Sequence, residues 1–351
     1  MNAPVAPLML AGVPGTRTVY VVSTSNLFES SRPSACGFSC FLLERTTDGG
    51  AHFTVLDLPR TRYVGDSLTG TLDQLQFANA SDGYAVMGNA APRSLYVTHS
   101  GGRSWHLDTI ADGTEILRLT TTRSHVVAIV AKCEGSSPCT DLRLATSPLV
   151  SHRWTFTPLA KWPVGMGAGL GAFASNVWLT QQTHQTVRLL TSHDLGVTFS
   201  RTSAPDLGSV YACFVTATSD ASLWAQCPTG MSSSFHYSSD GGVSWNTIPV
   251  RQFTNTGGGY FDPVTSTFAF LSVGLADSLG NKNLYKITNE GRTMTATGNL
   301  PCTEVNGLVF IDARHGFAAC DEHSTSTSTR LLSTSDGGLT WSQSTAFYAA
   351  V

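Results

Sequence analysis

Short hydrophobic stretches, each four to seven residues long, alternate with polar turns along the chain. These stretches predict strands at residues 8–11, 19–24, 75–78, 84–87, 95–98, 105–110, 305–311, 316–320, 330–334 and 341–346. Turn residues such as Ser81-Asp82-Gly83 separate neighbouring stretches. No long segment has the helical period of about 3.6 residues. The pattern therefore predicts an all-β protein.

One short motif recurs at intervals of about 48 residues. In chain order its copies lie at residues 46–53, 98–105, 146–154, 192–199, 238–245, 288–294 and 334–341. The last copy reads TSDGGLTW, the second has Ser100 in place of the aspartate, and the third and sixth are eroded. Seven copies at this period fill nearly the whole chain, which indicates a repeat architecture.

The pattern Ser/Thr-x-Asp-x-Gly-x-Thr/Ser-Trp/Phe resembles the Asp-box, or BNR repeat, of sialidase-like β-propellers. Secreted bacterial BNR-repeat proteins and photosystem II assembly factors belong to this group. The resemblance implies a single seven-bladed propeller domain over residues 1–351, with four-stranded antiparallel blades and an Asp-box between the third and fourth strands. The expected blades span roughly residues 1–59, 60–110, 111–159, 160–204, 205–250, 251–300 and 301–351.

The residues that recur from box to box are predicted to be structural. A carboxylate can accept hydrogen bonds from backbone amides of its own turn. Glycine supplies the position with positive φ. We therefore expect a structural role, and no catalytic one, for Asp48, Asp194, Asp240 and Asp336.

Eight cysteines fall into four pairs that are close in sequence. An even number of cysteines with local spacing is typical of disulfides formed in an oxidising compartment. The expected pairs are Cys36 with Cys40, Cys133 with Cys139, Cys213 with Cys227, and Cys302 with Cys320.

No CxxC motif and no cysteine–histidine group with zinc-ligand spacing occurs, so the sequence predicts neither a metal site nor a cofactor. The histidines in or near the box copies are predicted to be exposed and inert; they are His52, His99, His152 and His193.

Composition limits the partners and the compartment. A net charge of −3 argues against a general nucleic-acid binder, which needs a basic surface. No apolar run approaches the ~20 residues that span a bilayer, so no transmembrane segment is predicted. The first ten residues lack the basic start of a signal peptide. With the cysteines, this predicts a secreted, periplasmic or cell-surface protein from which the signal peptide has been removed.

The resemblance also places ligands on the face opposite the Asp-boxes, where links between blades and loops between second and third strands meet. Arginine, aromatic and acidic residues in these links suit a polar or anionic ligand, because arginine pairs bidentately with carboxylates. The candidate ligand-binding residues are Arg60, Arg62, Tyr63, Asp66, Glu115, Trp162, Asp206, Arg251, Tyr260 and Glu304.

Sialidases of this superfamily use three arginines, a nucleophilic Tyr/Glu pair and an Asp that acts as the acid. They also carry an Arg-Ile-Pro motif that this sequence lacks. No catalytic residue is therefore assigned.

The sequence predicts a secreted or cell-surface bacterial binding or scaffold propeller that recognises a protein or a glycan. The alternative is an extracellular carbohydrate-active enzyme, a glycoside hydrolase or polysaccharide lyase, with an axial active site. Its acids would include Asp66, Glu115 and Glu304, and a hydrolase needs such a pair ~5–10 Å apart. A third hypothesis is a purely structural repeat protein.

Overall fold

The computed structural model describes most of the chain. The described residues are 5–25, 40–56, 58–59, 72–88, 93–110, 114–133, 139–159, 168–182, 187–202, 213–229, 232–250, 259–273, 283–302, 304–321 and 329–350. They form a seven-bladed β-propeller in which every blade is a four-stranded antiparallel sheet, as predicted from the repeats. Within each blade, every strand pairs with the next one along the chain.

Two compact units divide the chain, and the first contains Met1–Leu58, Arg251–Asn289 and Thr293–Val351. It holds blades 1, 6 and 7 and the one described helix. The strands of blade 1 are β1 (Val5–Gly12), β2 (Val19–Ser25), β3 (Cys40–Thr46) and β4 (Thr54–Leu56). In blade 6 they are β21 (Phe261–Pro263), β22 (Ala269–Ser272), β23 (Leu284–Thr288) and β24 (Thr293–Gly298). In blade 7 they are β25 (Glu304–Phe310), β26 (Gly316–Asp321), β27 (Thr329–Thr334) and β28 (Ser342–Gln343), followed by α1 (Thr345–Ala350).

The second unit contains Pro59–Val250 and Glu290–Arg292 and holds blades 2 to 5. The strands of blades 2 and 3 are β5 (Leu72–Phe77), β6 (Gly83–Met87), β7 (Ser94–Thr98), β8 (His106–Asp108), β9 (Thr114–Thr121), β10 (His125–Lys132), β11 (Thr140–Pro148) and β12 (Thr155–Pro158). Those of blades 4 and 5 are β13 (Ala168–Phe173), β14 (Asn176–Gln182), β15 (Val187–Ser192), β16 (Ser200–Thr202), β17 (Phe214–Ala217), β18 (Leu223–Pro228), β19 (Ser233–Ser238) and β20 (Asn246–Thr247).

Burial within the second unit follows strand position. All five residues of β6 are buried, whereas β8 and β16 at the outer edge of their blades are mostly exposed. A strand that is covered on both faces needs a nearly continuous run of apolar residues, which the sequence of β10, HVVAIVAK, provides. Hydrophobic clusters fill the space between consecutive blades, for example where Val86 of blade 2 packs with Ile116 and Val126 of blade 3. The first strands of neighbouring blades lie side by side, from β5 through β9 and β13 to β17.

The first and last blades pack together within the first unit. Strand β1 contacts β25, β26 and β27 of blade 7. The approach is close enough that a Cβ atom on Gly12 would lie 2.9 Å from Val309 Cγ2. The first and last blades are therefore joined by side-chain packing, and the four strands of blade 1 are consecutive in the chain.

The end of blade 7 differs from its prediction. A strand was expected over residues 341–346, but β28 ends at Gln343 and α1 begins at Thr345. The reason is the burial of Phe347, whose ring packs edge-on against Phe53 of blade 1 with centroids 5.5 Å apart. Turning the chain into a helix brings this ring into the core between the first and last blades.

Three of the four predicted disulfides are confirmed. Cys133 bonds to Cys139, Cys213 to Cys227 and Cys302 to Cys320, with Cα atoms 4.1, 4.2 and 5.2 Å apart. The fourth predicted pair, Cys36 with Cys40, lies outside the residues whose side chains are described. None of the described helices is long and apolar enough to pass through a bilayer.

Candidate functional site

The turns that carry the repeated motif lie between the third and fourth strands of their blades, and their aspartate carboxylates bond within the turn. At Asp194, Oδ1 accepts hydrogen bonds from Ser192 Oγ at 2.7 Å and the Thr198 amide at 2.9 Å, and Oδ2 accepts one from Thr198 Oγ1 at 2.6 Å. Hydrogen bonds from Thr198 and then Ser192 lower the pKa of Asp194 to about 2. Asp48, Asp240 and Asp336 accept the equivalent bonds in their own turns.

The second box keeps this geometry without a carboxylate. The Ser100 hydroxyl accepts a hydrogen bond of 2.9 Å from the Ser104 amide, which is the bond that aspartate accepts in the other boxes. The Gly102 amide donates to Thr98 Oγ1 at 3.0 Å, as the matching glycine does elsewhere. A hydroxyl therefore suffices to close this turn.

Seven of the ten predicted ligand-binding residues lie outside the described part of the chain. They are Arg60, Arg62, Tyr63, Asp66, Trp162, Asp206 and Arg251. Of the other three, Glu115 belongs to the second unit, whereas Tyr260 and Glu304 belong to the first.

Tyr260 and Glu304 are brought close together in the first unit. The Tyr260 hydroxyl donates a hydrogen bond to the carbonyl oxygen of Asn306, on the same strand as Glu304. Burial, and then the charge of Glu304, raise the pKa of Tyr260. The pair thus joins the start of blade 6 to the first strand of blade 7.

Glu115 lies among arginines at the start of β9. We call Arg93, Glu115, Arg118 and Arg143 the arginine–glutamate cluster. Arg93 Nη1 forms an ion pair with Asp73 at 3.2 Å and a hydrogen bond with the Ile116 carbonyl oxygen, also at 3.2 Å. Burial raises the pKa of Glu115, and the nearby charge of Arg93 opposes that rise. The Glu115 Oε1 atom is buried and has no hydrogen-bond partner among the described residues.

Arg143 and Arg118 occupy the cluster in different ways. Arg143 Nη2 lies 3.3 Å from Asp141 Oδ2, and its guanidinium carbon lies 4.8 Å from the centre of the Phe156 ring. Among the described residues, Arg118 Nη1 donates to the Leu117 carbonyl oxygen at 3.4 Å, and no carboxylate forms an ion pair with this guanidinium.

The Arg118 guanidinium reaches from blade 3 to blade 5. Its guanidinium carbon lies 5.3 Å from the ring centre of Phe214, which begins β17 and is 46% exposed. Its Nε atom is buried without a hydrogen-bond partner in the described part of the chain. Burial lowers the pKa of Arg118, yet an arginine stays charged at neutral pH. A charged planar group beside an exposed aromatic ring suits a ligand that carries both a carboxylate and an apolar part.

The structure also brings three histidines close together. Two of them, His99 and His152, were predicted to be inert, and the third, His106, was not singled out from the sequence. His99 lies in the box turn of blade 2, His106 begins β8, and His152 lies in the eroded box turn of blade 3. Burial, and then the charges of His152 and His99, lower the pKa of His106. The sequence carries one signal of this group, which is that His99 and His152 lie in the box turns of consecutive repeats.

Comparisons with known proteins give the fold and no family. No profile of a known protein family matches the chain, and no curated protein matches it in sequence. The β-propeller domain of the Trilobed protease from Pyrococcus furiosus is similar over 98% of this chain and 96% of that one, with a TM-score of 0.64 and 8% identity. The chain is a β-propeller.

Two further solved structures share this fold. YCF48 bound to D1 peptide matches over 78% of this propeller and 81% of its own chain, with a TM-score of 0.53 and 14% identity. Acylaminoacyl peptidase from Pyrococcus horikoshii matches over 97% of this propeller and 52% of its own chain, with a TM-score of 0.62 and 7% identity. The match therefore covers about half of that peptidase's chain.

Proposed function

We propose that this chain is an exported, protein-binding β-propeller that holds a peptide segment of its partner at the arginine–glutamate cluster. The observation that carries the proposal is Arg118. Its partly buried guanidinium lies against the exposed ring of Phe214 and forms no ion pair with the described carboxylates.

A peptide carboxylate would complete the hydrogen bonding of Arg118. Arginine presents parallel N–H donors that match a carboxylate, and such charge-assisted bonds are among the strongest in proteins. The neighbouring Arg93 and Arg143 already bond to Asp73 and Asp141, which leaves Arg118 as the arginine of the cluster that is ready for a ligand. An apolar side chain next to that carboxylate would cover Phe214. The expected ligand is therefore a peptide with an acidic residue or C-terminal carboxylate beside an apolar residue.

Two other findings support this proposal. YCF48 has the same fold and has been solved with D1 peptide bound, which is an example of a propeller that holds a peptide. Three disulfides favour an oxidising compartment, so we place this propeller outside the cytoplasm, in the secreted, periplasmic or cell-surface fraction.

A displayed peptide library provides the test. Peptides selected on the wild-type chain are measured by calorimetry against the wild type and two variants, Arg118→Ala and Arg201→Ala. Arg201 is an exposed arginine on the outer strand β16 and serves as the matched control. We expect Arg118→Ala to weaken binding at least tenfold and Arg201→Ala to leave it unchanged.

Three results would overturn the proposal. The first is a wild type that enriches no peptide, and the second is equal binding by wild type and Arg118→Ala. The third is binding or cleavage of a glycan array that depends on Arg118, with release of sugars pointing to a carbohydrate-active enzyme. Matching circular dichroism spectra of the three proteins would show that a loss of binding is not a loss of fold.

A further inference from the structure

Three histidine rings converge in the second unit, where the box turns of blades 2 and 3 lie next to each other. His99 and His106 come from blade 2, and His152 comes from blade 3. Their ring centroids are 4.9, 5.1 and 5.6 Å apart. One ring nitrogen from each lies within 4.8 Å of the other two. In the described part of the chain, no other three histidine, cysteine or acidic side chains come together in this way.

Hydrogen bonds to two aspartates orient two of the rings. His99 Nδ1 lies 2.6 Å from Asp82 Oδ1, and His152 Nδ1 lies 3.1 Å from Asp108 Oδ2. An ionised carboxylate only accepts hydrogen bonds, so each Nδ1 carries the proton and donates it. In the neutral form of such a ring, the Nε2 atom carries the lone pair.

These two lone pairs face each other. His99 Nε2 and His152 Nε2 are 2.8 Å apart. Two lone pairs at that distance repel unless a cation lies between them, and that cation is either a shared proton or a metal ion. The third ring, His106, distinguishes the two, because a shared proton needs two nitrogens whereas a metal ion gains from a third.

The spacing of the His99 and His152 nitrogens is close to that required by a metal ion of the zinc class. Zinc binds imidazole nitrogen at about 2.0–2.1 Å, which places two nitrogens of a tetrahedral site about 3.3 Å apart. The observed 2.8 Å is therefore about half an ångström short of that spacing, which a small rotation of either ring would supply. Nitrogen donors favour zinc and its transition-metal neighbours over calcium and magnesium, which prefer oxygen.

Hydrogen bonds from Asn79 and Trp154 hold the side chains of Asp82 and Asp108 in place. The two aspartate side chains are only 13% and 10% exposed. Asn79 Nδ2 donates to Asp82 Oδ2 at 2.7 Å, and Trp154 Nε1 donates to Asp108 Oδ2 at 3.2 Å. A carboxylate behind a ligating histidine is a recurring feature of metal sites, where it sets the tautomer and ring orientation.

We propose that His99, His106 and His152 bind one divalent transition-metal ion, with Asp82 and Asp108 as positioning residues. Three protein ligands leave one position of a tetrahedral ion open. Because the rings lie at the surface, that position faces solvent and can accept water or a donor atom from another molecule. This site is separate from the arginine–glutamate cluster and does not depend on the proposed peptide binding.

Another box supplies a matched control. His193 occupies the same position in the fourth box that His99 occupies in the second. Its Nδ1 atom lies 2.7 Å from Asn176 Oδ1, and it belongs to no such group of histidines in the described residues. His193→Gln therefore removes a box histidine without touching the proposed site.

The experiment is a titration of the chelator-treated full chain with Zn²⁺ by calorimetry, repeated with Co²⁺ to record its visible absorption. We expect one Zn²⁺ per chain, and a Co²⁺ spectrum of a nitrogen-ligated, four-coordinate ion. His152→Ala and His106→Ala should each lower the affinity at least tenfold, and Asp82→Asn and Asp108→Asn should lower it about 10- to 100-fold. His193→Gln should bind as the wild type does.

The proposal fails if the wild type takes up no Zn²⁺, which would leave the shared proton as the explanation for the short distance. It also fails if His193→Gln lowers the affinity as much as His152→Ala, because the binding would then be that of scattered surface histidines. Thermal unfolding of each metal-free variant keeps the result interpretable. A variant that melts with the wild type and binds tenfold weaker supports the site, whereas one that melts with the wild type and binds equally contradicts it.

Discussion

The Ser23 hydroxyl shares its one O–H donor between the two carboxylate oxygens of Glu44, at 2.9 and 3.1 Å, across the neighbouring strands β2 and β3 of the first blade. Both residues are fully buried. Burial raises the pKa of Glu44 to about 7, and the Ser23 hydrogen bond only partly offsets that rise. Folding therefore favours the protonated acid at this position.

This raised pKa predicts how stability depends on pH. An acid whose pKa is higher in the folded chain stabilises the protein below its unfolded pKa, and that contribution is lost as the pH rises through the folded value, here from about 4.5 to about 7. Glu44→Gln removes the charge and keeps the shape. We expect it to match the wild type at pH 4, below the unfolded pKa, and to be more stable at pH 8, by on the order of 1–3 kcal/mol.

Urea unfolding at several pH values measures this difference. Asp262 of the same unit, whose pKa burial also raises to about 7, keeps its contribution in both proteins and so cancels in the comparison. Parallel pH profiles for the wild type and Glu44→Gln would show that Glu44 does not titrate as described.

The box turns predict a graded effect of substitution at Asp194. Alanine removes the acceptor for the Thr198 amide and hydroxyl, so Asp194→Ala should lower the melting temperature. Serine occupies the equivalent position in the second box, where Ser100 accepts the amide hydrogen bond. Asp194→Ser should therefore fall between the wild type and Asp194→Ala in thermal unfolding. Equal melting temperatures for the two variants would contradict a role for the acceptor.

Alanine substitutions at two adjacent glycines distinguish the cost of backbone strain from the cost of overpacking. Gly241 and Gly242 both have positive φ, at 72° and 95°. A Cβ atom on Gly242 would lie 2.3 Å from Leu189 Cδ2, whereas one on Gly241 would meet nothing closer than 4.0 Å. Both alanine variants carry the backbone penalty, and Gly242→Ala should be less stable than Gly241→Ala by about 1–3 kcal/mol through overpacking. Chemical denaturation of both variants would reveal equal losses if packing at Leu189 were unimportant.

The disulfides predict a difference set by loop length. Cys213–Cys227 closes a longer loop than Cys133–Cys139, with sequence separations of 14 and 6. Chain-entropy arguments give about 3 kcal/mol for the longer loop and about 0.7 kcal/mol less for the shorter one. Paired cysteine-to-alanine variants, unfolded in urea, should follow that order. A larger loss from the Cys133/Cys139 pair would contradict it.

Much of the fold was predictable because it depends on local rules repeated along the chain. Each box carries its own turn chemistry, so the order of strands follows from the spacing of the boxes alone. The ending of blade 7 was not predictable in this way. Phe347 turns inward because it meets Phe53, which lies almost three hundred residues earlier in the chain, and no local pattern encodes that contact.

The candidate site was predictable only in part. Glu115 was singled out because the sequence placed it in a link between blades, and it lies at the start of β9. Arg118 lies in the middle of that strand and contacts Phe214, two blades further along. The histidine group has the same origin, since His99 and His152 are 53 residues apart and meet only because the blades repeat in space. Both proposed sites are built from contacts between repeats, which a single repeat does not reveal.

The most direct test of peptide binding places a photo-crosslinking amino acid at Phe214, beside Arg118. Leu107 on β8 is 59% exposed and lies in an outer strand, so the same substitution there is the control. With a peptide selected on the wild-type chain, we expect a crosslink from position 214 and none from position 107. Equal crosslinking at both positions, or none at 214, would contradict it.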